Sequence, residues 1–465
     1  MTRAFLVLAA LLGAHRAEAS PASLDDVLRS VRDHHPAAAA AHTAIDRAEG
    51  QLLAAEGAFD PRARARVASV ASGYYDTTTV DTEMRVLTPW HGASPFVGWR
   101  LGRGTFPSYD GKLDTLDGGE LRVGLDVPLL QGRVTDRART DLRKAGIAKE
   151  LARAEVDQRT IDLARDAEVA YWDWVAALHR LEVRRTGLAI ALERERQIEQ
   201  GVAAGLRAPI EVTDNRRAVV AREAILVAAE RDVRRAGLEL SLLLRTADGR
   251  PLVPDAAVRP SLRTDPEPLT LEADVATALT RGIARAPRLR ELRARQDLVD
   301  ADLALARDTL RPKLDMSVSA SRGIGPAESL LADRSDVALT VAATFELPVG
   351  RRTARGNLMM ARADSARVAA ELKFAIDRVA VDVHATHAEL SAARARSRLA
   401  ERNAELSELL ADAERTRFAR GDSTVLLVNL REEAAADAAA QSLDARADVL
   451  RQRARLAALL GEEPR

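Results

Sequence analysis

The 465-residue sequence contains no cysteine. That excludes a disulfide framework, a thiolate metal centre and a cysteine-borne lipid anchor. Aromatic residues make up 3% and charged residues 30%, a balance that excludes a conventional large globular core. Lys plus Arg and Asp plus Glu stand at 69 each, so no global field draws the chain to nucleic acid. No stretch beyond the N-terminus reaches the roughly 18 consecutive apolar residues of a membrane-spanning helix. The scattered acids and 8 histidines supply no triad, paired-carboxylate frame or metal triad, so neither an enzyme nor a cofactor site is expected. His384 and His387 share one helical face but lack a third ligand, as do His34 and His35. Gly102, Gly104 and Gly111 lack the Lys-Ser/Thr helix start of a phosphate loop.

What the chain has in abundance is alanine, leucine, arginine and glutamate, strong helix formers suited to long helices packed through small side chains. It opens with Met1, Thr2 and Arg3, then an apolar run from Ala4 to Ala14 and the small-residue segment Ala17-Glu18-Ala19. This reads as a signal peptide over 1–19, and hence as an exported protein.

Pro36 and Pro61 frame an Ala- and Arg-rich stretch, and Pro287 and Pro312 repeat that frame with the same spacing. Farther along, Pro128 answers Pro348, Gly205 answers Gly421 and Leu244 answers Leu460. The chain is therefore a duplicated unit. The first repeat covers 20–255, with a helix over 25–59, a strand region over 62–128 and an α-hairpin over 133–246. The second covers 256–465, with a helix over 270–310, a strand region over 313–348 and an α-hairpin over 352–461. The fold class is mainly α with a small β portion.

The strand regions alternate. Leu314, Met316, Val318 and Ala320 interleave with Asp315, Ser317, Ser319 and Ser321, and Val337, Leu339, Val341, Phe345 and Leu347 with Asp336, Thr340, Thr344 and Glu346. In the first repeat Arg64 and Arg66 alternate with Ala65 and Val67, and Leu121, Val123, Leu125 and Val127 with Glu120, Arg122 and Asp126. Each repeat thus predicts a two-faced hairpin, suited either to a membrane barrel or to a soluble sheet with one wet face. Four strands cannot close a barrel, and open edges are not tolerated in lipid, so the membrane reading requires several chains. A Gly- and aromatic-rich insert from Trp90 to Gly119 predicts an extra hairpin or an external loop.

Two proline-free stretches of roughly 70 residues each predict helices on the order of 100 Å long, at about 1.5 Å per residue. Leu372, Ile376, Val379, Val383, Leu390 and Ala393 follow coiled-coil spacing. Ala204-Gly205-Leu206 and Arg420-Gly421-Asp422 predict helix-reversing turns, with glycine at the left-handed position. Tyr171, Trp172 and Trp174 read as helix packing.

In this duplicated order the sequence resembles the outer-membrane efflux family, the TolC-like channels, over essentially the whole mature chain. The openings Leu24-Asp25-Asp26-Val27-Leu28 with His35-Pro36, and Leu271-Glu272-Ala273 with Ala286-Pro287, carry the resemblance. So do the strand exits Val127-Pro128-Leu129-Leu130-Gln131-Gly132-Arg133 and Leu347-Pro348-Val349-Gly350-Arg351-Arg352, and the two glycine turns. The resemblance implies a homotrimer in which four strands per chain make a twelve-stranded outer-membrane β-barrel, joined to an α-helical barrel in the periplasm. It further implies an outer-membrane location and a passive exit duct of a tripartite efflux or type I secretion system. Its partners would be a periplasmic adaptor (a membrane fusion protein) and an inner-membrane transporter. The turns would be the periplasmic tips that meet the adaptor or gate the duct, with Gly205, Leu206, Arg207, Glu211, Asp214, Arg420, Gly421 and Asp422 as the residues concerned. Arg207, Arg417 or Arg420 pairing with Glu211 or Asp422 would hold the aperture shut. Val425-Leu426-Leu427-Val428-Asn429-Leu430 carries no acid where relatives have an acidic ring. The alternative is a periplasmic coiled-coil adaptor or interaction protein; duplication of the whole unit, strands included, favours the channel.

Overall fold

A computed structural model describes residues 23–106, 114–258, 260–262, 275–326 and 336–462. The expected signal peptide, the Leu271-Glu272-Ala273 opening and Gly111 lie outside the described residues. The elements are α1 (Leu24–His34), α2 (Pro36–Glu56), β1 (Arg62–Val70), β2 (Thr77–Arg85), β3 (Ser94–Gly104), β4 (Glu120–Pro128), α3 (Arg137–Ala203), α4 (Pro209–Ser241), α5 (Val275–Arg285), α6 (Pro287–Asp308), β5 (Lys313–Gly323), β6 (Ala338–Glu346), α7 (Arg352–Ala419) and α8 (Val425–Leu459). The long helices α3 and α7 hold 67 and 68 residues. Among the described residues, no helix is long and apolar enough to cross a membrane.

Where one opening helix per repeat was expected, there are two. Proline has no N–H to donate and pushes the preceding residue out of the helical region, so Pro36 and Pro287 end one helix and begin the next. His35 accordingly sits at φ −77°, ψ 125°. Its Nδ1 accepts a hydrogen bond from the Ala37 backbone N–H at 3.1 Å, covering a donor that the new helix start leaves open. At the other end of α1 the Ser23 hydroxyl accepts from the Asp26 N–H at 3.2 Å, the N-cap that starts the helix.

The chain divides into two compact units. One comprises Thr43–Ala154 and Arg290–Phe374 and contains the sheet. Its six strands run in chain order, β1-β2-β3-β4-β5-β6, each antiparallel to the next. Among the described residues the sheet thus holds six strands, where the resemblance implied four per chain. The insert supplies the difference: β1 and β4 do not pair with each other, because β2 and β3 lie between them. Two-residue alternation persists through the insert, which lets it join the ladder in register. At the strand exit, Gly132 takes φ +86°, and its N–H donates to the buried Asp308 carboxylate at 2.6 Å. Lys144 to Asp302 and Lys149 to Glu49 add ion pairs at 2.8 and 2.7 Å.

The other unit, built from residues up to His42, Glu155–Leu289 and Ala375–Arg465, is helical. Its principal core joins Val27, Leu28 and Val31 of α1, Tyr171, Trp174, Val175 and Leu178 of α3, Leu240 of α4, Leu244 beyond it, and Ala447 and Leu450 of α8. Among the described residues Trp174 is the largest side chain fully removed from water. Burying such a side chain contributes about 3 kcal/mol. A second cluster takes Val383, Leu390 and Ala393 of the α7 seam with Val449 and Leu456 of α8. The duplicated Leu244 and Leu460 are both fully buried. Alanines such as Ala167, Ala176, Ala191, Ala411 and Ala447 also vanish from the surface, as close helix packing with few aromatics requires.

Candidate functional site

The sheet is two-faced across its full width. Residues paired across the ladder point the same way, so the registers sort every strand position onto one of two faces. One face carries Val67 of β1, Val80 and Met84 of β2, Val97, Trp99 and Leu101 of β3, Leu121, Val123, Leu125 and Val127 of β4, Leu314, Met316 and Val318 of β5, and Leu339, Val341 and Phe345 of β6. Val67, Val341 and Phe345 are more than half exposed.

The opposite face carries charge. Arg122 of β4 reaches the Asp81 carboxylate of β2 at 2.8 Å, crossing the intervening strand over Gly98. Arg85 pairs with Glu83 at 2.9 Å and with Asp126, and its guanidinium lies 4.7 Å from the Phe96 ring centre. Arg100 meets Glu120 at 2.7 Å. Gly98 and Gly124 leave room for this lattice: a Cβ at Gly124 would come within 2.5 Å of the Phe96 ring.

In the helical unit, both α-hairpins reverse through the same device. Gly205, at φ +73°, donates to Val202 O at 2.9 Å while Leu206 donates to Gly201 O at 2.9 Å. Gly421, at φ +86°, donates to Phe418 O at 3.0 Å while Asp422 donates to Arg417 O at 2.9 Å. These are Schellman turns, and glycine serves them because a Cβ disfavours the left-handed residue.

Arg207 pairs with Glu211 at 2.9 Å and lays its guanidinium 4.1 Å from the Phe418 ring centre, linking the first turn to the second. Glu211 also accepts from the Ala208 N–H at 3.3 Å, capping α4. Leu206 is largely exposed and Asp214 faces solvent. Arg417 donates to the Asp422 backbone carbonyl at 3.1 Å and to Glu414 at 3.4 Å rather than to the Asp422 carboxylate. Among the described residues Arg420 and Asp422 form no ion pair, so Arg207 and Glu211 alone of the expected tip residues meet as charges. Beneath them Ile198, Phe418, Val425 and Val428 make a small apolar core with Val202 and Val212.

Sequence reasoning missed the charged hub above this core. Glu432 of α8 receives Arg194 of α3, Arg222 of α4 at 3.1 Å and Arg415 of α7 at 3.2 Å. Arg194 also donates to Asn429 at 2.8 Å. The signal was present, since Val425, Val428, Glu432 and Ala435 follow seam spacing and all four are buried. Higher on α3, burial pushes the Glu168 carboxyl up to about 7, opposed by a 3.4 Å hydrogen bond from the Trp172 indole and by Arg453. Tyr171, Trp172 and Trp174 pack against one another, with Tyr171 5.0 and 6.1 Å from its two neighbours. Among the described residues, no group of three or more His, Cys, Asp or Glu side chains is placed to hold a metal.

The model of the family described as outer membrane efflux protein matches residues 113–245 and 279–462, more than half of the chain. The chain belongs to that family. Solved structures of similar fold are outer-membrane channels. OprN matches with a TM-score of 0.66 at 17% identity, covering 95% of this chain and 91% of its own. The Campylobacter jejuni CmeC channel matches at 0.65 and 10%, covering 94% and 85%. The open state of the Neisseria gonorrhoeae MtrE channel matches at 0.63 and 15%, covering 96% and 90%. No curated protein sequence is significantly similar to the chain. The family's channels are transport proteins of the outer membrane, and the two-faced sheet and paired α-hairpins are how this member presents that fold.

Proposed function

We propose that the chain is the passive outer-membrane exit duct of a tripartite export assembly. The observation that carries this reading is the sheet: an apolar face, a charged face and two unpaired edges, β1 and β6, on one chain. Such a sheet is unstable alone in lipid and is satisfied when identical copies close a barrel, apolar face outward and charged face around a wet lumen. Three copies would make the closed ring, with α3, α4, α7 and α8 continuing the duct into the periplasm. The tips around Gly205 and Gly421 would meet a periplasmic adaptor, itself bound to an inner-membrane transporter that supplies energy and selects the small molecule or protein to be exported. Arg207, Glu211, Asp214, Arg420 and Asp422 would sit at the aperture, which opens by small shifts of the tip helices with no bond chemistry.

The test is outer-membrane fractionation after expression in a bacterial host, followed by gel migration in mild detergent with and without boiling. The expected result is a membrane-held species at three times the chain mass that collapses to the monomer on boiling. A soluble, helical monomer would sink the duct and move the alternative, a periplasmic coiled-coil adaptor, to first place.

A further inference from the structure

We infer that the inserted β2–β3 hairpin is part of the lipid-facing wall, so that each copy contributes six strands and three copies close an eighteen-stranded barrel. This rests on the trimeric duct proposed above and adds to it the make-up and width of the wall.

Four observations meet on the hairpin. First, its connectivity places it in the sheet: among the described residues β1 bonds only to β2, and β4 to β3 and β5, so removing the hairpin would strip β1 of its ladder and β4 of one of its two. Second, its length fits. β2 and β3 hold 9 and 11 residues, matching the 9 to 11 of the other four strands. At about 3.3 Å per residue and the usual barrel tilt, nine residues cover the roughly 25 Å of an outer-membrane apolar band. Third, its faces are in phase with the rest of the sheet. Val80, Met84, Val97, Trp99 and Leu101 continue the apolar face, and Asp81, Glu83, Arg85 and Arg100 continue the charged one. A loop lying outside the membrane has no reason to keep that phase. Fourth, its two ends carry aromatics: the exposed Tyr74, edge-on to the half-buried Tyr75, in the turn before β2, and the exposed Trp90 in the turn after it. Those are the levels at which barrel strands carry aromatic girdles.

The edges supply the closure. Arg62, Arg64 and Arg66 line the charged face of β1, and among the described residues none of them forms an ion pair. Glu346 is the acid on the same face of β6, at the end of the sheet where Arg62 lies. Pairing β1 of one copy with β6 of the next continues the antiparallel order and sets opposite charges against each other. Barrel diameter grows roughly linearly with strand number, so eighteen strands give a lumen about 1.5 times as wide as twelve.

The chain's lack of cysteine makes the test direct, because single cysteines can be introduced without background. Val80→Cys, Val97→Cys, Thr79→Cys and the reference Val341→Cys are each labelled with a fluorophore in the full-length assembly reconstituted into vesicles. The vesicles contain phosphatidylcholine carrying a nitroxide on its acyl chain. The expected result is quenching at positions 80 and 97 as strong as at 341, with weak quenching at 79 on the opposite face. Strong quenching at 341 with none at 80 and 97 overturns the inference while leaving the channel intact. Quenching at none of the four positions overturns the duct reading and the inference with it. Should the variants fail to assemble, electron cryomicroscopy of the unmodified trimer in nanodiscs decides by strand count. Eighteen supports the inference, and twelve overturns it.

Discussion

Arg194 of α3 and Glu432 of α8 form an ion pair in which both side chains are only 6% exposed. Glu432 also holds Arg222 of α4 and Arg415 of α7, so one carboxylate ties together all four helices of the two α-hairpins. Glu432→Gln leaves three guanidinium groups gathered around a neutral amide. Removing one partner of a buried pair costs about 3 to 5 kcal/mol, because the charge left behind has lost its solvation. The variant is expected to melt well below the parent in detergent; an unchanged melting temperature would show that water already screens the hub.

Glu168 gives the helical unit a pH dependence of definite sign. Its folded pKa of about 7 lies above the ordinary carboxylate value, so the fold favours the protonated form. The cost of the buried carboxylate is absent below about pH 4.5, grows as pH rises to about 7 and levels off above it. Glu168→Gln is therefore expected to stabilise the protein by about 2 kcal/mol at pH 8 and to be neutral near pH 4.5. Melting curves at the two pH values check this, and equal effects at both would remove burial as the cause.

At the tips, Arg207 joins the Glu211 carboxylate to the Phe418 ring. A partly exposed pair and a cation–π contact together contribute about 1 kcal/mol, enough for about a fivefold shift between closed and open states. Glu211→Arg is expected to raise single-channel conductance or open probability, and Arg420→Glu, which breaks no ion pair among the described residues, to do less. Identical traces from Glu211→Arg and the parent would count against a gating role for this contact.

The sheet faces predict an asymmetry between neighbouring residues. Val341 lies on the apolar face and Thr340 on the charged one. Val341→Asp is expected to cost about 2 kcal/mol if the residue lies near the bilayer midplane, and to lower the yield of boiling-sensitive trimer. Thr340→Asp should assemble normally. Equal yields from both would favour a sheet wet on each side.

Arg351 holds a left-handed conformation at φ +46°, at the strand exit where the first repeat places Gly132. Left-handed backbone costs a side-chain-bearing residue about 1 kcal/mol. Arg351→Gly is expected to recover up to that amount in thermal melting, and a loss instead would assign Arg351 a contact worth more than its strain.

Much of this protein was legible in the chain itself. The duplicated prolines and glycines marked helix breaks and turns in both halves, because proline and glycine act through the local backbone and need no tertiary partner. Gly205 and Gly421 marked their turns for the same reason, and two-residue alternation gave the strands their faces. The Pro36 and Pro287 breaks were also written locally, although length and composition alone read through them. Only the tertiary structure decided which strand pairs with which. Alternation fixes a face but not a neighbour, so the placement of β2 and β3 between β1 and β4 emerged from the ladder. It likewise revealed Glu432 as a hub, since its partners Arg194, Arg222 and Arg415 come from three other helices, and a buried charge is defined by what long-range packing brings to it.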